Sequence, residues 1–427
     1  MPYRSLLLLF AVSFAAHAQP GSPPGKGSLI LPWEEVKSRF LAQNPNVMAG
    51  QLNIDEAKAN EITAGLRPNP QFDLSGSGFQ AFPSGGLYRP LSSTLFVPQL
   101  SYLIERQNKR GLRVQSARLA TSGASTDQED LKRTLLFAVR SSFVSTLQAK
   151  ALLALTEEDL KYYDNVIAVN QERYRGGDIS QLDLQRVEIQ RVQFESDLAT
   201  ARVNLRTAKI QLLALLNDRT AVESFDVTGN FSYQESIVLL PEMRRMALEQ
   251  RPDVRSAQNA IEKARADHRL AIANGTADPT VSANYTWNPQ LGNPDATSTF
   301  GGGINIPLRI FDKNQGEKAR TSIEIKRTEL LRDGLVANLY RDVDSAYETI
   351  ESTRSLLRAY RDKYLQASFD IRDKVSFSYS QGGSTLLDFL DAQRSYRTTQ
   401  ITYLNLVGSY YSALAQLSLA VGQEVNP

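Results

Sequence analysis

Tyr174-Arg175-Gly176-Gly177-Asp178-Ile179-Ser180-Gln181-Leu182-Asp183 returns 205 residues later as Tyr379-Ser380-Gln381-Gly382-Gly383-Ser384-Thr385-Leu386-Leu387-Asp388. Tyrosine, glycine, a hydroxyl residue and aspartate keep the same three-residue spacing in both copies. Glycine supplies the turn conformations that other residues resist, so each stretch reads as a tight hairpin. Beyond each hairpin the apolar residues fall at alternating steps of three and four. The first series is Leu184, Val187, Arg191, Phe194, Leu198, Ala201, Leu205, Ala208, Leu212 and Leu215. The second is Phe389, Ala392, Tyr396, Thr399, Tyr403, Leu406, Tyr410, Ala413, Leu417 and Ala420, offset by the same 205 residues. Such heptads predict left-handed coiled-coil packing, with Arg191 the one seam charge of the first series. The chain is therefore an internal duplication, with a period far longer than a solenoid repeat.

Proline marks what surrounds the hairpins. All 18 prolines lie up to Pro98, between Pro241 and Pro307, or at Pro427. Residues 99–240 and 308–426 have none. Proline breaks helices, so each tract predicts helix, hairpin, helix. The first arm, from Ile104 to Tyr174, would measure about 105 Å at 1.5 Å per residue, which suits a fibre or a tall tube.

The proline-rich parts carry strands. Gln71-Phe72-Asp73-Leu74 alternates, and a Gly/Ser run leads to Phe79. After turn residues Pro83, Gly85, Gly86 and Pro90, alternation resumes from Leu91 to Leu100 through Leu95 and Val97. In the second copy Val281, Ala283, Tyr285 and Trp287 alternate with polar residues. A loop holding Pro289, Gly292 and Pro294 then leads to Phe300–Leu308 through Ile304 and Ile306. Two hairpins of this kind fit a membrane barrel or a soluble sheet capping a helical stalk. Strands in lipid leave no open edge, so the barrel reading needs several chains; three chains of four strands give twelve.

The first eighteen residues predict a secretory signal: Arg4, an apolar run from Leu6 to Ala16, and the small-x-small pattern Ala16-His17-Ala18 before Gln19. No later stretch approaches the roughly 20 apolar residues of a helical span. The expected layout is a signal peptide at 1–18, a first repeat at 19–215 (strands at about 70–101, helices at about 104–217), an equatorial linker region at 216–250, and a second repeat at 251–427 (strands at about 279–308, helices at about 313–421).

A net charge of +2 gives no field that calls for nucleic acid. Without cysteine there are no disulfides, thiolate metal sites or cysteine nucleophiles. His17 and His268 are the only histidines, and His17 leaves with the signal. Nucleophile-elbow, phosphate-loop and zinc-helix motifs are missing, so no enzyme, cofactor or metal site is expected.

In order and in repeat, the residues resemble the TolC-type outer-membrane efflux proteins. The most similar branch is the outer-membrane component of cobalt–zinc–cadmium-type heavy-metal efflux systems. The pieces are Pro98-Gln99-Leu100, Ile104-Glu105, Lys109-Arg110, Gly301-Gly302-Gly303, Pro307-Leu308, Phe311 and, most specific, the run from Tyr379 to Arg394. The resemblance implies a mixed α and β fold: a homotrimer whose twelve-stranded transmembrane barrel continues as a coiled-coil periplasmic tunnel. It implies an outer-membrane location with lipid around the barrel. It also implies a periplasmic adaptor (membrane fusion) protein at the helix tips and a proton-driven inner-membrane pump. The function expected is a passive export conduit for small molecules or metal ions. The alternatives are a soluble periplasmic coiled-coil protein and a type I secretion duct of the same fold.

Asp388 and Asp391 stand three apart, so both can face one side of a helix. They are either solvated helix-start acids or, as the resemblance implies, two rings of three carboxylates at the pore entrance. By the same resemblance Asp183 and Tyr379 latch the entrance; the alternative is that Asp183 merely caps its hairpin. Ser384 stands where the family's arginine would pair with that acid, and serine makes no charge-assisted contact. Tyr174, Gly177, Ser180, Gly382 and Thr385 shape the tips that face the adaptor. Glu105, Arg106, Lys109, Arg110 and Arg113 form a basic cluster, read either as a solvated helix start or as a contact to lipid phosphate.

Overall fold

The computed structural model describes residues 29–425 apart from 84, 89, 92–93, 236–238 and 288–297. The signal peptide and the loop at Pro289, Gly292 and Pro294 lie outside the described residues.

Two elements are very long. Helix α3 (Lys109–Gly176) runs 68 residues, about 100 Å, without proline. It ends where Gly177 turns left-handed at φ 84°. Helix α4 (Gln181–Leu215) returns beside it. The second copy is α7 (Gln315–Ala359), a π turn (Tyr360–Tyr364) and α8 (Leu365–Ser380), with α9 (Leu386–Val421) returning. Every residue of both heptad series is buried or half-buried. The seam charge Arg191 is answered across the pair by Asp164 at 2.6 Å and along its own helix by Glu195.

Shorter elements precede each long arm. They are β1 (Leu29–Leu31), α1 (Trp33–Gln43) and α2 (Pro45–Gly65) in the first copy, and β4 (Phe225–Val227), α5 (Leu240–Gln250) and α6 (Pro252–Asn274) in the second. Pro45 and Pro252 sit at first helical positions, where a missing N–H costs nothing. So 216–250 holds a strand and a helix. β1 and β4 pair in parallel. One core gathers Val36, Phe40, Phe143, Leu212 and Phe225; another gathers Leu339, Ile350, Val407, Tyr410 and Leu417.

Strands β2 (Gln71–Ser77), β3 (Leu95–Leu103), β5 (Thr280–Trp287) and β6 (Ser298–Asn305) form one antiparallel sheet in the order β2-β3-β5-β6. The helices attached to them pack in the same order, α2 on α3, α3 on α6 and α6 on α7. Each strand thus continues as one helix. The register divides the sheet into two faces. Phe72 meets Leu100, which meets Ala283, which meets Gly302; Leu74 meets Pro98, and Tyr285 meets Phe300. That face also carries Phe96, Trp287 and Ile304, and it is exposed: Phe72 68%, Phe300 89%, Ile304 71%. The opposite face presents Asp73, Ser75, Gln99, Ser101, Ser282 and Asn284. Leu95 and Val97, read from the sequence as apolar alternation, fall on this polar side. β2 and β6 are unpaired edges among the described residues. No helix among those residues is long and apolar enough to cross a membrane.

The basic cluster after β3 is turned inward at Lys109, while Arg106 and Arg110 stay exposed. Lys109 is 4% exposed, and its ammonium donates to Asp278 at 2.6 Å and to the Thr276 carbonyl at 2.7 Å. Arg113 grips Glu105, and Arg110 donates to the Gly65 carbonyl at 2.6 Å. Burial works to raise the Asp278 pKa, but the Lys109 ammonium and the Arg106 N–H prevail and hold it below its ordinary value. The cluster clasps strand ends to helix starts. Neither a free solvated start nor a lipid contact describes Lys109.

Candidate functional site

The hairpin tips are built by helix-end hydrogen bonds. At the first, the N–H groups of Gly177 and Asp178 donate to the carbonyls of Tyr174 and Arg173 at 3.0 and 2.9 Å. At the second, Gly382 and Gly383 donate to Tyr379 and Ser378 at 3.1 and 2.8 Å. Gly177 and Gly382 have φ of 84° and 76°, the left-handed region that favours glycine. The returning helices start with matched caps. Ser180 accepts the Asp183 N–H at 3.1 Å. Thr385 and Asp388 form a full capping box, side chain to backbone in both directions.

Asp388 is exposed, and its carboxylate accepts through one oxygen, Oδ2, from the Thr385 N–H and hydroxyl. They hold its pKa below the ordinary carboxylate value. Oδ1 remains open to solvent, so capping and facing a pore are compatible. Asp391 is exposed and has no hydrogen-bond or ion-pair partner among the described residues. It lines a groove of about 920 Å³ between α3, α4 and α9, with Asp197, Arg394 and Arg397.

Within one chain Asp183 and Tyr379 do not hydrogen-bond. Asp183 is occupied by the Ser180 hydroxyl at 2.8 Å and by Arg186 at 3.7 Å. Ser384 donates to the Ser378 hydroxyl at 2.6 Å. Tyr379 is 7% exposed and donates to Asn170 Oδ1 at 2.7 Å. Its ring stacks on Phe389 at 4.9 Å, and the Arg173 guanidinium lies 4.6 Å from its centroid. Burial pushes the Tyr379 hydroxyl pKa up, Arg173 opposes this and Asp183 adds to it. Tyr379 turns inward and joins the two hairpins through Asn170. Asn170 escaped the sequence reading. Its signal was a lone amide seven residues after Tyr163 and four after Val166, a register-setting device in coiled coils.

A second junction sits further from the tips. Arg397 of α9 reaches Asp159 of α3 at 3.2 Å and also grips Asp197 of α4. Its guanidinium lies 4.8 Å over the Phe194 ring. Gln393 donates to the Tyr162 hydroxyl at 2.9 Å, and Arg372 of α8 covers Tyr396 at 4.1 Å. Burial pushes the Asp159 carboxyl up to about 6, against the pull of Arg397. Three helices from both hairpins are pinned by one side chain. This too was missed, because a charge among apolar seam positions reads as a solvated face.

The family model described as outer membrane efflux protein matches residues 36–218 and 243–423, one segment per repeat. A cobalt-zinc-cadmium resistance protein, CzcC of Cupriavidus metallidurans, is 23% identical over 403 residues, 94% of this chain and 92% of its own. Nodulation protein T of Rhizobium leguminosarum bv. trifolii is 24% identical over 467 residues, covering 100% of this chain and 97% of its own. Among solved structures, CusC, described as forming a transmembrane channel, overlays with a TM-score of 0.77 at 19% identity, covering 96% of each chain.

Proposed function

From the premise that this chain belongs to the outer membrane efflux protein family, we propose that three copies close one barrel and one tunnel, with the tip aspartates ringing the entrance. As a family member the chain is the outer-membrane channel component of a tripartite efflux system. It resides in the outer membrane, extends into the periplasm, and works with an adaptor and an inner-membrane pump. One observation carries the trimeric reading: the four-stranded sheet has an exposed apolar face, a polar face and two unpaired edges. A lone sheet of that kind is unstable in water and in lipid. Three sheets joined edge to edge give twelve strands, an apolar wall toward lipid and a polar lumen.

The entrance then repeats threefold. Asp388 and Asp391 form stacked carboxylate rings that attract cations, and the Tyr379–Asn170 bond holds the hairpins of each chain together. Asp183 steadies the start of α4 by accepting from the Ser180 hydroxyl. Tyr174, Gly177, Ser180, Gly382 and Thr385 shape the surface offered to the adaptor. Energy comes from the pump, proton-driven in our reading, and the channel is a conduit without catalysis. The cargo is a small solute or metal ion; the relative named for cobalt-zinc-cadmium resistance supports the metal reading.

Planar-bilayer recording with electrophoresis tests this. The purified protein is expected to migrate as a heat-dissociable trimer and to give cation-selective steps. Recovery as a soluble monomer that leaves bilayers silent would refute it.

A further inference from the structure

A slot of about 300 Å³ lies between α1, the middle of α3 and the last turns of α9, away from both hairpin tips. Leu136 and Phe137 of α3 and Leu414 and Ala415 of α9 make it apolar. Four cations rim it, Lys37, Lys132, Arg133 and Arg140, against two carboxylates, Glu129 and Glu424. Both carboxylates are engaged. Glu424 accepts from Trp33 Nε1 at 2.7 Å and pairs with Lys37 at 2.5 Å, while Glu129 pairs with Arg255 at 2.5 Å. Arg133 is answered by Asp130 at 2.6 Å. Lys132 and Arg140 make no ion pair among the described residues. The Arg140 guanidinium lies 4.4 Å over the Trp33 ring. Burial pushes its pKa below the ordinary value, with Glu424 and Glu34 pulling the other way.

A half-buried cation left without a carboxylate loses hydration that a ring face replaces only in part. Placed over an apolar floor, it fits a ligand with an anionic head and a hydrophobic body. The slot is at the small end of ligand cavities, which limits that body to a short chain or a single ring.

We propose that this slot binds a small amphipathic anion, a carboxylate or sulfonate on a short alkyl or single-ring body, its head on Arg140 and Lys132 and its body on Leu136, Phe137 and Leu414. The slot shares no residue with the tips or with the groove at Asp391.

Trp33 is a built-in reporter. The chain has 2 tryptophans, and Trp287→Phe leaves Trp33 alone. The full-length protein in lipid nanodiscs is titrated with hexanoate, 1-hexanol and hexylammonium, which share a body and differ in charge. Hexanoate is expected to shift Trp33 emission saturably, at about tenfold lower concentration than hexanol, and hexylammonium to give no saturable shift. Arg140→Gln should bring hexanoate and hexanol within about twofold, while Arg140→Lys keeps most of the preference. If Arg140→Gln does not fold, Lys132→Gln must still reduce the preference by roughly threefold. Equal affinities for hexanoate and hexanol, or an emission unmoved by all three in protein with intact heat-modifiable migration, would overturn the proposal.

Discussion

Arg397→Met removes the one cation that pins Asp159 and Asp197 across three helices. The side chains of Arg397 and Asp159 are 17% and 14% exposed, so the carboxylate left behind stays buried. Breaking a buried pair from one side costs about 3–5 kcal/mol. The 29% exposure of Asp197 places the loss near the lower figure, about 3 kcal/mol, or roughly 100-fold in local opening. The effect depends on pH. Asp159 has a folded pKa of about 6, raised above its ordinary 3.8. A raised carboxyl contributes stability that is full below the unfolded value and lost as pH rises through the folded one. For Asp159 that contribution is roughly 3 kcal/mol at 1.36 kcal/mol per tenfold, lost between about pH 4 and 6. Removing Arg397 raises the folded pKa further, so the variant is weakest at pH 7.5 and recovers toward pH 5, where Asp159 is neutral. The assay is hydrogen exchange by mass spectrometry on peptides spanning 155–165 and 393–401, comparing variant with native protein at each pH. Exchange faster by about two decades at pH 7.5, with a smaller ratio at pH 5, is expected. A ratio near one at both values, or a larger one at pH 5, would refute the reasoning.

Four further outcomes follow from the same geometry. Tyr379→Phe strands the amide oxygen of Asn170, itself 1% exposed; the cost is about 1–3 kcal/mol, read as larger or less stable single-channel conductance in bilayers. Asp391→Ala should lower cation selectivity without changing melting, whereas Asp388→Ala should lower both by removing one half of the capping box; equal melting in the two variants would contradict the assigned box. Asp278→Asn leaves the buried Lys109 ammonium without its carboxylate, at about 3 kcal/mol, and should lower the temperature at which the heat-modifiable form disappears. Gly177→Ala meets no atom within 4 Å yet must hold φ 84°, so about 1–2 kcal/mol is lost in tip stability, measured by exchange at residues 174–183.

Much of this fold was legible because its strongest signals are local. Proline-free tracts, glycine-marked hairpins and in-phase heptads pointed to α3, α4 and α7 to α9, since coiled-coil seams obey a short period. The strands were legible in number but not fully in face. Pro98 and the loop before it blur the alternation of β3, and only its pairing with β2 and β5 settles which side is apolar. Helices α1, α2, α5 and α6 were hidden by prolines, which read as breakers although two of them begin helices. The parallel pairing of β1 with β4 joins residues nearly 200 apart, and no local pattern announces it. At the tips, the acids and glycines were evident from the repeat. Their partners were not, because Asn170 and Arg397 act through neighbours on other helices. Within one chain Asp183 and Tyr379 make separate contacts, legible only in the structure for the same reason.

The π turn at Tyr360–Tyr364 makes the two halves of the duplication mechanically unequal. An α-helix resists bending through its unbroken ladder of hydrogen bonds, and a π turn interrupts that ladder. The first arm, α3, has no such interruption over 68 residues. The second is jointed at one level, with the 16 residues of α8 beyond the joint. Duplication thus yielded a strut and a limb. In the ring of three chains proposed above, stiff and jointed members would alternate, and a widening of the lower mouth would fall to the three jointed ones.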